Sequence, residues 1–115
     1  MQYLLLIYDA EANWNAVSEA ERQKMYGQYM DLTQDLQKNG KYKSGNQLQP
    51  IASAATVRIR DGKKTITDGP FAETKEQLGG YYLVEAKDRD EALAIAARIP
   101  SARLGCVEVR PVVMR

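Results

Sequence analysis

The first apolar segment, Tyr3-Leu4-Leu5-Leu6-Ile7-Tyr8, is unbroken rather than alternating, the pattern of a strand with both faces buried. Asp9 to Val17 follows as a polar connection that carries Trp14, the only tryptophan. Ser18 with Glu21 is a capping-box signature, so a helix is expected from about Glu19 to Lys38. Its apolar stripe is Met25, Tyr29, Leu32 and Leu36, widened by Tyr26, Met30 and Thr33, and Asn39-Gly40 is its stop signal.

Lys41 to Pro50 has the composition of a strand with an irregular end. Thr56-Val57-Arg58-Ile59-Arg60 alternates cleanly, Asp61-Gly62 is a hairpin turn, and Lys64 to Thr67 returns beside it. Gly80 to Ala86 is a second apolar run. Asp88 is placed to cap a helix presenting Ala92, Leu93, Ile95, Ala96 and Ile99, which Pro100 ends. Gly105 to Val113 makes the last strand.

The order is β-α-β, hairpin, β-α-β. This predicts an α+β, ferredoxin-like sandwich with an inserted β-hairpin, as one domain over residues 1–115. Two helices can cover only one face of such a sheet, yet Tyr3–Tyr8 and Tyr81–Val84 are apolar on both sides. A second subunit is the economical cover, so a homodimer with its sheets face to face is expected. A cavity between sheet, helices and the segment from Asp68 would be the natural ligand site.

Composition narrows the function classes. With 16 basic against 15 acidic residues the net charge is +1, without the basic excess that nucleic-acid binding needs. The opening apolar run is too short to span a membrane and lacks the positive flank of a signal peptide, so no membrane association is expected and the protein is placed in the cytoplasm. No histidine is present and Cys106 is the single cysteine. No metal site or nucleotide motif emerges, and no cofactor is expected. Cys106 itself reads as a small buried strand residue.

Without histidine, proton chemistry must run through carboxylates, Lys, Tyr or Cys. The densest place to look is the stretch from Asp68 to Tyr82, which opens on Asp68-Gly69-Pro70-Phe71 and closes on Gly79-Gly80. Asp68 is a candidate acid or base at a strand end; as an Asx-turn it would shape the corner instead. Glu73 and Lys75 face one side if the segment is extended, forming a polar floor for an anionic or phenolic ligand, or a solvated loop. Tyr29 is a candidate hydrogen-bond donor into the cavity, with core packing as the alternative, and Tyr8 carries the same ambiguity. Phe71, the only phenylalanine, is expected to pack under the turn, and Arg58 and Arg60 to face solvent.

The segment Thr67 to Tyr81 resembles the DGPF-domain proteins of the YCII-related superfamily. So do the opening Tyr3–Tyr8, the element Gly45-Asn46-Gln47-Leu48-Gln49-Pro50 and the ending Val107-Glu108-Val109-Arg110-Pro111. The resemblance implies a dimeric α+β barrel on a ferredoxin-like fold. Most such proteins have no assigned reaction. A related branch includes a dehydrochlorinase of a chlorinated hydroxyhydroquinone with a proposed His-Asp pair, and genes for DGPF proteins often neighbour those of alternative sigma factors. Many relatives carry His-Met in the first helix where this chain has Tyr29-Met30. The first expectation is therefore a dimeric module binding a small molecule near the Asp68 turn, in a stress or regulatory setting. The alternative is a cofactor-free lyase or isomerase, with Asp68 moving the proton and Tyr29 holding an oxygen. A cofactor-free monooxygenase, by fold analogy alone, stands third.

Overall fold

The computed structural model describes residues 1–115. Its strands are β1 (Gln2–Asp9), β2 (Tyr42–Gln47), β3 (Ala55–Arg60), β4 (Lys63–Asp68), β5 (Gln77–Glu85) and β6 (Cys106–Pro111). Its helices are α1 (Glu11–Ala16), α2 (Glu19–Lys38) and α3 (Arg89–Ala97). The main sheet runs β2-β5-β1-β6 with every neighbouring pair antiparallel. That order, with α2 and α3 as the crossovers, is the ferredoxin-like α+β fold. The hairpin β3-β4 is inserted between β2 and β5 and forms a sheet of its own.

The cap and stop signals act as expected. The Glu21 N–H donates to Ser18 Oγ at 3.2 Å, and the Glu91 N–H to Asp88 Oδ1 at 2.9 Å. At the far end of α2, Gly40 takes φ 71° and the Lys41 N–H returns to the Leu36 carbonyl at 2.8 Å, a left-handed helix stop. The hairpin turns on Asp61 and Gly62, both with positive φ, as a two-residue turn of matching twist requires.

Burial in β1 alternates although its composition does not. Tyr3, Leu5 and Ile7 are buried, while Leu4, Leu6 and Tyr8 are half-buried. The register Leu5↔Tyr82 and Tyr3↔Val84 places one face of β1 and β5 beneath the helices. There they meet Leu32 and Leu36 of α2, then Ala92, Ile95 and Ala96 of α3 and Ile99 beyond it. Truncating Leu36, 2% exposed, to alanine would cost about 2–5 kcal/mol.

The other face of the sheet has no covering element in the chain, and the hairpin is barer still. Val57 and Ile66 are cross-strand partners, and with Ile59 they are 58%, 61% and 64% exposed.

Four local expectations need correction. The connection after Asp9 contains α1, which sequence inspection overlooks because Ala10 supplies no side-chain cap. Cys106 is exposed rather than buried, because its register with Tyr8 turns it to the uncovered face. Phe71 does not pack under the turn; it is 77% exposed. Met30, expected on the apolar face of α2, points to solvent at 61% exposure.

Candidate functional site: an aromatic cavity beneath the long helix

A cavity of about 360 Å³ lies between α2, the β1-β5-β2 part of the sheet and residues 47–50. Its walls are built by close strand approach. A Cβ on Gly80 would stand 2.9 Å from the Asn46 carbonyl oxygen, so only glycine lets β2 and β5 pair here. A Cβ on Gly105 would overlap the Tyr8 carbonyl and come within 2.9 Å of Asp9 Cα. That glycine fixes the end of β1, where Asp9 enters the cavity.

Aromatic rings form most of the apolar lining. Tyr29 stacks on Tyr82 with centroids 6.4 Å apart, and Tyr42 meets Tyr82 edge-on at 6.2 Å. Trp14 and Tyr26 meet edge-on at 5.8 Å among the lining residues. Most of the phenols are tied back. The hydroxyls of Tyr29 and Ser101 share a hydrogen bond of 2.6 Å, as do those of Tyr82 and Thr33 at 2.8 Å. The Asn46 side-chain amide donates to the Tyr81 hydroxyl at 2.9 Å. Burial raises the Tyr29 and Tyr82 phenols above their ordinary range, so both stay protonated at neutral pH and act as neutral hydrogen-bonding groups.

Asp9 differs from its neighbours. Its Oδ1 is buried and has no hydrogen-bond partner. Burial raises its carboxyl above the usual range, and Glu76 adds to that; the Ala10 N–H and the Asn13 side chain oppose it. A carboxyl with one oxygen closed off from solvent is costly to keep charged, and a positive group nearby lowers that cost. Glu11, also in the lining, is engaged: its Oε2 accepts the Ile51 N–H at 2.9 Å, and its own N–H donates to Gln77 Oε1 at 3.0 Å. The first bond ties Ile51, next to the lining residues 47–50, to the start of α1, and the second ties α1 to β5.

The residues singled out in the sequence fall in separate places. Tyr29 lines the cavity. Asp68 and Glu73 border a separate depression of about 490 Å³ with Gly69, Pro70 and Gln77. Asp68 is exposed, and the corner there is held by other groups: Thr56 Oγ1 donates to the Gly69 carbonyl at 2.8 Å, and the Gly69 N–H to the Ala54 carbonyl at 2.7 Å. Lys75 is exposed and lines neither recess. Tyr8 is on the uncovered face of the sheet, across from Cys106. Sequence inspection passed over Asp9, Glu11, Tyr42, Tyr82 and Ser101. The only signal for Asp9 was its position as the first charge after an apolar strand, which every strand end shares.

Cys106 holds its Sγ 3.6 Å from Glu76 Oε1. Partial desolvation and the carboxylates of Glu76 and Glu108 raise its thiol above the ordinary value, the opposite of an activated nucleophile. No helix is long and apolar enough to cross a membrane.

Fold and cavity together define a ferredoxin-like α+β protein with a concave aromatic site on the helix-covered face of its sheet. The model of the YCII-related domain matches residues 1–114, and the chain belongs to that family. It is 36% identical over 116 residues to an uncharacterised protein of Rhizobium meliloti (strain 1021), an alignment covering 99% of this chain and 94% of that one.

Proposed function

We propose that this protein binds a small organic molecule in the cavity beneath α2 and works as a homodimer. The observation that carries the ligand reading is an aromatic cavity of about 360 Å³ whose lining includes the partly desolvated carboxyl of Asp9. Sites for small molecules are concave and mostly apolar, with a few convergent polar groups. The Asp68 turn borders this site through Gln77, which lines both recesses. Native mass spectrometry of the purified protein should find a retained small molecule, or two-dimensional NMR should show fragments shifting the amides of β2, β5 and α2. Shifts confined to residues 68–75 would move the site to the depression and overturn this reading.

The dimer is supported by two uncovered apolar surfaces: the half-buried Leu4, Leu6 and Leu83 on the open sheet face, and the bare hairpin side chains. A lone two-stranded hairpin is marginal in water, and packing against a second copy would give it a third layer. Light scattering should return a dimer at micromolar concentration; a stable monomer overturns the claim.

A second reading, cofactor-free proton transfer, is favoured by the raised Asp9 carboxyl, which is suited to giving and taking a proton. Asp9 would act as the base and Tyr29 as hydrogen-bond donor to a substrate oxygen. Deuterium uptake from D2O into small enolisable ketones, lost in Asp9→Asn, checks it. No uptake by the wild type removes it.

A further inference from the structure

The charge of the cavity is one-sided. Among its lining residues are two carboxylates, Asp9 and Glu11, and no Lys or Arg. The polar groups most able to greet an anion are committed elsewhere: the Tyr29, Tyr82 and Tyr81 hydroxyls are in hydrogen bonds with Ser101, Thr33 and Asn46. What remains for a ligand is the π-surface of the rings, the Asp9 carboxyl, and the neutral side chains of Tyr26, Tyr42, Gln47 and Gln49, none of which carries a positive charge. An anion against Asp9 would have no Lys or Arg among the lining residues to balance it, which is unfavourable out of water. A cation meets complementary charge twice, from the carboxylate and from the ring quadrupoles. One cation already uses these rings: the Arg22 guanidinium is over Trp14, 5.5 Å from its centroid. Its Nη2 donates to the Trp14 and Asn15 carbonyls, at 3.2 Å each.

We propose that the ligand is an organic ammonium ion on a compact apolar body, with its charge against Asp9 and its body among Tyr29, Tyr42 and Tyr82. This rests on the cavity being the ligand site. It also sets the cavity apart from the depression beside Asp68, whose lining contains the carboxylates of Asp68 and Glu73 but no aromatic ring to desolvate a cation.

The test compares three probes sharing one phenyl ring: benzylammonium, benzyl alcohol and benzoate. Calorimetric titration of the full chain at neutral pH should show the ammonium binding at least tenfold more tightly than the alcohol, and no heat with benzoate. NMR amide shifts from the ammonium should fall on β2, β5 and α2. Asp9→Asn, which keeps the side chain's size, should weaken the ammonium at least tenfold and leave the alcohol within about threefold. Alcohol or benzoate binding as tightly as the ammonium, with shifts at the cavity, overturns the cation and leaves the cavity a ligand site. Heat from none of the three overturns the cation as well. Ammonium shifts confined to residues 68–75 overturn both readings. The three-probe comparison is made on the wild type, so it decides the matter even if Asp9→Asn fails to fold.

Discussion

The cavity beneath α2 and the segment from Asp68 to Lys75 are neighbours joined through Gln77, and they divide chemistry and exposure in opposite ways. The segment concentrates ionisable and turn-forming residues, but its carboxylate at Asp68 is in water and Phe71 is 77% exposed. The cavity has fewer charges, yet one of them, on Asp9, has an oxygen closed off from water. A charge in water is screened and worth little; the same charge with its solvation removed can be put to use. The conspicuous motif is therefore better suited to shaping a corner and presenting an apolar side chain outward. The proposed ligand chemistry rests on Asp9, Tyr42 and Tyr82, which attract no notice in a linear reading, together with Tyr29, which does.

The largest expected effect separates the assembly surfaces from the cavity. Leu4→Arg puts a charge in the middle of the uncovered sheet face, opposite Leu83. It should dissociate the proposed dimer, since an uncompensated charge buried at the interface would weaken association by about 3–5 kcal/mol. Analytical ultracentrifugation checks it. An unaffected dimer would put the interface elsewhere, with the hairpin residues Val57, Ile59 and Ile66 next to be altered.

Next come paired variants, one in each region. Tyr29→Phe keeps the stack on Tyr82 and leaves Ser101 Oγ without its phenol partner. It should lower stability by about 1 kcal/mol and alter ligand affinity. Asp68→Asn, at an exposed side chain with no hydrogen bond of its own, should stay within about 0.5 kcal/mol. Denaturant melts of both read this directly. A larger loss at Asp68 than at Tyr29 would invert the comparison.

Smaller again is the hairpin tip. Adding one glycine beside Gly62 lengthens a turn whose residues are all exposed. Loop lengthening of this size should cost about 0.5–1 kcal/mol. A loss of several kcal/mol in a thermal melt would mean that the tip is packed against a second copy.

Much of this fold was legible because local signals carry it. The Ser18 and Asp88 caps, the Gly40 stop and the Asp61-Gly62 turn each act within a few residues, and the Leu32–Leu36 stripe reports its own buried face. The cavity was not legible, because empty space is a property of how elements meet. It depends on Gly80 meeting Asn46 and on Gly105 meeting Tyr8, approaches that no single segment encodes. Cys106 and Phe71 were misjudged for a related reason. Their apolar character is plain in the sequence, but register and turn direction decide which way they point. Tyr29, on the buried stripe of α2, was found because helical spacing specifies direction.

The finest distinction is the sign of a pH effect at two carboxylates. Asp9 has its folded-state pKa raised, chiefly by burial, with Glu76 on the loop before β5 adding to it and Ala10 and Asn13 opposing. The folded state thus holds its proton more strongly than the unfolded chain does. This contribution is fully present below the unfolded value of about 3.9 and is lost as pH rises through the raised value. Glu91 is the reverse. Its pKa is lowered, first by the hydrogen bond from Lys41 at 2.7 Å and then by the Lys87 N–H. Its contribution is present above the unfolded value of about 4.3 and is lost as pH falls through the lowered one. Asp9→Asn should therefore gain stability relative to wild type as pH is raised from 3 to 7, and Glu91→Gln should lose it. Urea melts of wild type and both variants across that range give the two differences. If the Asp9→Asn difference is flat, the carboxyl is solvated in solution, and the cavity loses the buried charge that distinguishes it from the Asp68 segment.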